Sequence, residues 1–170
     1  MIRGIHHVAI TTPDIDRLVG FYRDIIGMEL MRDSGWPIGS DRIDAVVGLH
    51  GSSARTATLK LGNAYLELFE YTTPPGHAGD PNRPVNDAGY THFCLDVTEI
   101  DDEYDRLAAA GMRFHCPPPA ASAIGSGNLR STYGRDPDGN VIELQEILNP
   151  DYPLSLPYER VHAGAETLNP

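Results

Sequence analysis

The chain has 170 residues, of which 41% are hydrophobic, so it is long enough to bury an ordinary core and too apolar to be disordered. Its 24 acidic and 13 basic residues give a net charge of −11. This charge argues against binding to nucleic acid or an anionic membrane surface, because both need clustered Lys and Arg. The sequence contains neither an apolar run of membrane-spanning length nor a secretory signal. Its two cysteines, Cys94 and Cys116, indicate no disulfide framework. We therefore expect a cytoplasmic protein.

The first predicted unit begins with a strand at residues 5–11, which is rich in β-branched residues in an alternating pattern. Thr12 follows as the predicted N-cap of a helix, with Pro13 at the first helical position. Apolar residues recur at helical spacing from Ile15 onwards, and Gly27 stands where a left-handed residue ends a helix. Further strands are predicted at residues 29–32, 56–61 and 64–71.

The same order of elements returns in the second half of the chain. Residues 91–97 predict a strand, Thr98 an N-cap, and Gly111 the end of a helix. His7 and His92 are 85 residues apart, and so are the pairs Ile15-Asp16 and Ile100-Asp101, whereas Gly27 and Gly111 are 84 apart. Strands are predicted at residues 113–115, 131–135 and 141–146, with a hairpin turn at residues 136–139. An offset held across so many elements indicates an internal repeat.

The repeat predicts an α+β fold made of two β-α-β-β-β modules, one at residues 3–73 and one at residues 90–147. Residues 74–89 are rich in Pro and Gly and predict a linker between the modules. Residues 35–53 and 117–127 are predicted as long loops, where binding residues are often found. Residues 148–170 show little periodicity and are predicted to form a surface tail.

Four polar residues stand on the faces of predicted strands that lie opposite the apolar faces: His7, Glu67, His92 and Glu143. If the helices cover the apolar faces, the other faces can form a cleft that brings two imidazoles and two carboxylates together. A divalent cation would offset the repulsion between the carboxylates, and mixed N/O ligands suit Mn, Fe, Co, Ni or Zn. Any one of these residues taken alone is more often a surface residue. Their recurrence at matched places favours the metal site.

The remaining histidines and two further glutamates are predicted to have structural or surface roles. His6 faces the other side of its strand, and Glu70 and Glu146 lie three residues beyond Glu67 and Glu143, where we expect surface pairing. The other histidines predicted to lie at the surface are His50, His77, His115 and His162.

Five stretches carry a resemblance to a known family: residues 7–14 (HVAITTPD), 21–30 (FYRDIIGMEL), 65–70 (YLELFE), 92–97 (HFCLDV) and 135–144 (RDPDGNVIEL). Together they resemble the vicinal oxygen chelate superfamily, which includes glyoxalase I, methylmalonyl-CoA epimerase, extradiol dioxygenases and bleomycin-resistance proteins. The resemblance spans about residues 3–147. It implies paired modules that form an open, barrel-like cleft around one divalent transition metal (Ni, Co, Zn, Mn or Fe), with His7, Glu67, His92 and Glu143 as the metal ligands.

The resemblance also implies an activity. A carboxylate at Glu67 is similar to the pattern of isomerases, epimerases and lyases of the superfamily, which move a proton next to a carbonyl chelated through two neighbouring oxygens. Glu143 or Glu67 is then the catalytic base. Two alternatives stay open: an Fe(II) extradiol ring-cleaving dioxygenase that uses His7, His92 and Glu143, and a metal-free small-molecule binding protein.

Further residues are candidates to contact the small-molecule substrate. The arginines could meet a carboxylate or phosphate, and the aromatic residues could line the cleft: Arg42, Arg55, Arg130, Trp36 and Tyr133. Members of the superfamily are often dimers, so we expect a homodimer. The sequence leaves open whether the cleft is built within one chain or by two chains that exchange halves.

Overall fold

A computed structural model of the chain describes residues 1–156, so the predicted surface tail, residues 148–170, and His162 lie partly or wholly outside the described residues. The first half contains β1 (His7–Thr11), α1 (Ile15–Gly20), a π-helical continuation (Phe21–Ile26), β2 (Glu29–Trp36), α2 (Asp41–Val47), β3 (Ser53–Leu61) and β4 (Ala64–Thr73). The second half contains β5 (His92–Asp96), α3 (Ile100–Ala109), β6 (Arg113–Phe114), short 3₁₀ turns (Ala121–Ala123 and Gly125–Gly127), β7 (Leu129–Arg135) and β8 (Val141–Ile147).

Within residues 1–156 the strands form two four-stranded sheets with the same topology. Their orders are β1-β4-β3-β2 and β5-β8-β7-β6. In each sheet the first strand pairs in parallel with the last, and the other neighbouring strands are antiparallel. The predicted α+β fold of two repeated β-α-β-β-β modules is therefore confirmed.

The helices pack on the apolar face of each sheet and form a common core. Leu18 of α1 and Leu107 of α3 are almost fully buried, as are Leu68 and Leu144, which occupy corresponding places on β4 and β8. These residues belong to one hydrophobic cluster that spans both halves. Each large aliphatic side chain buried in this way contributes about 1.5–3 kcal/mol. Packing the apolar faces inward leaves the opposite face of each sheet with its polar residues.

The helix starts differ from the sequence predictions. Thr12 remains bonded to the sheet, because its amide donates to the Phe69 carbonyl, and Asp14 caps α1 by accepting a hydrogen bond from the Arg17 amide at 3.0 Å. In the second half the predicted cap Thr98 is also wrong. Glu99 takes the N-cap position with a left-handed backbone (φ 55°). The predicted helix ends are confirmed, since Gly27 and Gly111 have φ values of 92° and 95°.

Residues 35–53 also differ from the prediction of a long loop. Strand β2 extends to Trp36, β3 begins at Ser53, and α2 lies between them. No helix in residues 1–156 combines the length and the apolar character that crossing a membrane would require.

The two halves are joined by polar contacts between α1 with its π-helical continuation and the turn at residues 136–139. The Tyr22 hydroxyl donates to the buried Asp136 carboxylate at 2.8 Å, and Arg17 forms an ion pair with Asp138. The predicted turn itself is present, because the Gly139 amide donates to the Asp136 carbonyl at 3.0 Å. The guanidinium of Arg106 on α3 donates to the carbonyl of Ile25 at 2.6 Å. These contacts fix one sheet relative to the other.

Candidate metal centre

His7 and Glu67 meet on the face of the first sheet that lies away from α1. They stand on the parallel neighbours β1 and β4, two register positions apart and so on the same face, since His7 is opposite Tyr65 and Glu67 is opposite Ala9. His7 Nε2 lies 3.5 Å from Glu67 Oε2. The apolar side chains that alternate with them turn towards the helix, as strand geometry requires. The structure thus brings the first two predicted ligands together.

His92 and Glu143 form the corresponding pair on the second sheet. Glu143 on β8 is opposite Cys94 on β5, again two register positions from the histidine. His92 Nε2 lies 3.1 Å from Glu143 Oε2. These side chains are 26% and 15% exposed, against 44% and 31% for His7 and Glu67. The second pair is therefore the shorter and the better shielded from solvent.

The two pairs do not converge within one described chain. Across residues 1–156, no group of three or more His, Cys, Asp or Glu side chains is arranged to hold a metal ion. A surface cleft of about 230 Å³ beside α1 and another of about 310 Å³ beneath the linker are lined by other residues. Each pair offers one imidazole nitrogen and one carboxylate oxygen, which fits half of a four-ligand transition-metal site.

Tyrosine side chains lie beside both pairs. Tyr133 of β7 is opposite Glu143, and its ring centroid is 4.7 Å from that of His92. Burial, and then the Glu143 carboxylate, raise the pKa of the Tyr133 hydroxyl. Burial, and then the Glu67 carboxylate, likewise raise the pKa of Tyr71 on β4. Both hydroxyls therefore stay protonated at neutral pH and can donate hydrogen bonds.

Sequence reasoning did not identify two residues near the second pair. Cys94 stands two residues after His92, on the same face and directly opposite Glu143. His115 follows β6, and its ring centroid is 6.2 Å from that of Tyr133. Burial, and then the Arg135 charge, lower the pKa of His115. Because side chains alternate along a strand, the position of Cys94 two residues after His92 would have predicted that it shares the face of His92. The position of His115 depends instead on the pairing of β6 with β7.

Among the predicted substrate contacts, Trp36 and Tyr133 lie on the sheet faces that carry the His–Glu pairs, and the arginines do not. Arg55 turns towards α1 and forms a bidentate ion pair with Asp16, with both N–O distances 2.9 Å. Arg130 makes the matching ion pair with Asp101 at the start of α3. Arg42 is exposed on α2. Arg55 and Arg130 therefore attach each helix to its sheet, away from the predicted ligands.

The predicted surface pairing of Glu70 and Glu146 has a specific form. Each carboxylate accepts a hydrogen bond from a backbone amide at the start of a helix, at 3.4 Å from Ile15 and at 2.8 Å from Glu99. His6 stacks on Tyr65 with a centroid distance of 4.9 Å, and its Nδ1 lies 3.0 Å from Nδ1 of His7, so its ring lies beside these residues rather than on the other side of the strand as predicted. These residues support the elements that present the His–Glu pairs.

Comparisons with known proteins agree with this arrangement of paired modules. The chain is 31% identical over 165 residues to a 2-epi-5-epi-valiolone epimerase from Actinomyces sp.. This alignment covers 92% of this chain and 84% of that protein. It is 28% identical over 138 residues to a probable lactoylglutathione lyase from Synechocystis sp., covering 81% of this chain and 91% of that protein. The structure of a glyoxalase family protein from Bacillus cereus superposes with a TM-score of 0.75 and 25% identity, covering 88% of this chain and 97% of the other.

The model of one protein family also matches most of the chain, from residue 4 to residue 144. This range includes both His–Glu pairs and every strand of both sheets except the last three residues of β8. The chain therefore belongs to the glyoxalase/bleomycin resistance protein/dioxygenase superfamily.

Proposed function

We propose that this protein is a divalent-metal-dependent isomerase, epimerase or lyase that transfers a proton next to a carbonyl. Its substrate presents two neighbouring oxygens, one of them the carbonyl oxygen. The observation that carries the proposal is the matched placement of the His7–Glu67 and His92–Glu143 pairs, 3.5 Å and 3.1 Å apart, on corresponding strands of both sheets. The similarity to an epimerase and to a probable lyase supports this class of reaction.

We further propose that two copies of the chain complete each metal site. One pair supplies two donors, whereas Zn and related ions in proteins take four or more ligands. The pairs lie in separate sheets, and the described part of a single chain gathers no third ligand around either of them. A two-fold dimer would place the His7–Glu67 pair of one copy against the His92–Glu143 pair of the other and so form two equivalent sites.

The residues of this chain divide the work between binding and proton transfer. His7 and His92 would hold the ion as neutral imidazoles, and the ion, when bound, would polarise the substrate carbonyl. Glu67 or Glu143 accepts the proton from the carbon next to the carbonyl, while the electron pair of that C–H bond moves towards the carbonyl oxygen. Return of the proton to the opposite face of the same carbon gives an epimer. Its return to the former carbonyl carbon, with the proton of the neighbouring hydroxyl passing to the former carbonyl oxygen, gives an isomer.

The position of Glu67 disfavours the ring-cleaving dioxygenase alternative. His7, Glu67, His92 and Glu143 would together take most of the coordination positions of a divalent ion, and a substrate bound through two oxygens would take those that remain. A dioxygenase needs a further position for molecular oxygen, which a site with two histidines and one carboxylate provides. The proton-transfer reaction needs no such position.

Metal binding and solvent exchange test the proposal together. We expect calorimetry to detect stoichiometric Zn²⁺ binding to the purified protein, and NMR in D₂O to show deuterium incorporation next to the carbonyl of an α-hydroxy ketone. Glu143→Ala and Glu67→Ala should each lower the exchange rate, by about 10²–10⁴-fold for the one that acts as the base. Glu70→Gln is the matched control, because Glu70 lies on the same strand as Glu67 but faces α1.

Three outcomes would contradict the proposal. A protein that turns over an α-hydroxy ketone without incorporating deuterium does not use this proton transfer. Oxygen consumption and a yellow product with catechol would show ring cleavage. A protein that binds small molecules without metal, and whose binding is unchanged by Glu67→Ala, would be a binding protein.

A further inference from the structure

The sheet face that carries the His7–Glu67 pair continues into an aromatic patch, formed by Trp36, Phe69 and Tyr71. Phe69 is two residues beyond Glu67 on β4, which places it about 7 Å along the same face. The Phe69 and Tyr71 rings are nearly parallel, 14° apart with centroids at 5.9 Å. Trp36 of β2 approaches both edge-on, at 6.2 Å and 5.8 Å. The three side chains are only half-buried, so their outer surfaces are open to a ligand.

A buried hydrogen-bonded chain fixes the orientation of Trp36. Its indole Nε1 donates to Ser52 Oγ at 3.0 Å, and the Ser52 hydroxyl, which is fully buried, donates to the Asp44 carboxylate. Asp44 also accepts from the Gly51 and Ser52 amides at 2.7 Å and 2.9 Å. Because an ionised carboxylate can only accept, the Ser52 hydroxyl must donate to it and keeps its lone pairs for Trp36. The segment from α2 to β3 thus holds the patch in one geometry.

The second half of the molecule has no aromatic side chain at the position that matches Phe69. Gln145 stands two residues beyond Glu143, as Phe69 stands beyond Glu67. Both sheets nevertheless share one topology and a common core. The aromatic patch is therefore not a requirement of the repeated fold, which makes a ligand-binding role the better account of it.

The surroundings of the patch limit what it can bind. The hydroxyls of Ser34 and Thr56 flank it and bond to each other at 2.9 Å. The adjacent Arg55 turns to the opposite face, where it pairs with Asp16. Within the patch itself a carboxylate or phosphate would therefore meet aromatic faces and neutral hydroxyls, because the nearest arginine of this face, Arg32, stands in the neighbouring row, opposite Thr58. An uncharged ring suits this surface, because aromatic side chains contact a ring face over a broad area and lose little conformational freedom in doing so.

We propose that Trp36, Phe69 and Tyr71 determine specificity by receiving an uncharged six-membered ring whose two neighbouring oxygens face His7 and Glu67. This inference rests on the proposed function, because it takes the His–Glu pairs as the reacting centre. The shared chemistry of the ligand is the ring with adjacent oxygens. An alicyclic hydroxy ketone and an aromatic diol both have it, and the experiment separates them.

Trp36 is the only tryptophan of the chain, so its fluorescence reports directly on the patch. The Zn²⁺-loaded protein is titrated with 2-hydroxycyclohexanone, with catechol and with open-chain hydroxyacetone, and calorimetry measures each affinity independently. We expect the rings to change the Trp36 emission in a saturable way and to bind more tightly than hydroxyacetone. Phe69→Leu should weaken binding of the preferred ring by about tenfold and leave hydroxyacetone unaffected.

Tyr104→Leu is the control, because Tyr104 is a half-buried aromatic residue on α3 that packs on Phe114, away from both His–Glu pairs. It should change ring affinity by less than about twofold. An equal effect of Phe69→Leu on ring and open-chain ligands, or none on either, would overturn the inference while Zn²⁺ still binds. Absence of Zn²⁺ binding by the wild-type protein would overturn the proposed function, and this inference with it.

Discussion

Asp136 lies buried at the junction between the two halves, and its carboxylate depends on hydrogen bonds from both. It accepts from the Tyr22 hydroxyl of the first half at 2.8 Å and, within its own turn, from the amides of Asp138 and Asn140 and from the Asn140 side chain. Burial nevertheless raises the pKa of Asp136, although these hydrogen bonds act in the opposite direction. Each remaining donor is therefore important for keeping the carboxylate in the core.

Removing the Tyr22 hydroxyl should weaken this junction. We expect Tyr22→Phe to lower the free energy of unfolding by about 1–3 kcal/mol, because a buried acceptor loses one of its donors while the ring still packs. Urea denaturation measures the change. Tyr104→Phe, which removes a hydroxyl from a half-buried ring on α3, is the control and should cost less than about 0.5 kcal/mol. Equal losses in both variants would show that the bond to Asp136 contributes nothing specific.

At the scale of single residues, the sequence predicted which face of its strand each ligand candidate occupies. The period of a strand is fixed, so alternation placed His7 and Glu67 opposite the apolar side chains, and the structure agrees. The ion-pair partners of Arg55 and Arg130 could not be predicted from alternation, because these long side chains can point to either side of a strand end. The separation between the two pairs depends on how the sheets pack, and alternation contains no information about that.

At the scale of elements, the repeat predicted the strands and main helices well and the short local structures poorly. A helix start depends on where the preceding strand stops bonding, and Thr12 is retained by its bond to Phe69. In the second half Glu146, which is distant in sequence, supplies the acceptor for Glu99. The helix α2 was missed because it has only seven residues and turns the polar Asp44 inward. Such features are set by tertiary contacts.

The segment from α2 to β3 should show a dependence on pH that originates at Asp44. Hydrogen bonds from the Ser52 side chain, and then from the Ser52 and Gly51 amides, hold the pKa of Asp44 below its ordinary value of 3.8. A carboxyl whose pKa is lower in the folded chain stabilises the fold when it is ionised. Its contribution is complete above pH 3.8 and is lost as the pH falls through the lower, folded value.

Asp44→Asn removes the titrating carboxyl group and tests the direction of this pH dependence of stability. Near neutral pH we expect the variant to melt at a lower temperature than the wild type, and the difference should shrink as the pH is lowered below about 4. Asp41→Asn removes one negative charge from the same helix at an exposed position and serves as the control. A gap that widens towards acid pH would contradict the role assigned to the Asp44 carboxylate.

At the scale of the whole molecule, duplication produces two similar sheets that contribute unequally to the proposed site. The second sheet carries the shorter and less exposed His–Glu pair, and the first carries the more exposed pair together with the aromatic patch. If the His7–Glu67 pair of one copy meets the His92–Glu143 pair of another, each site would combine the less exposed pair of the second sheet with the more exposed pair and the aromatic patch of the first sheet. Two copies would then be required for metal binding, and no single chain would be active alone.

Mixing two inactive variants tests this arrangement. One variant carries His7→Ala and Glu67→Ala, and the other carries His92→Ala and Glu143→Ala. If each site takes one pair from each copy, a mixed dimer contains one site with both pairs intact and one with neither. After random exchange of subunits about half of the dimers are mixed, so activity and bound Zn²⁺ should return to about a quarter of the wild-type level. If both pairs of a site come from one chain, every mixture stays inactive, and the proposal of a site shared between copies is wrong.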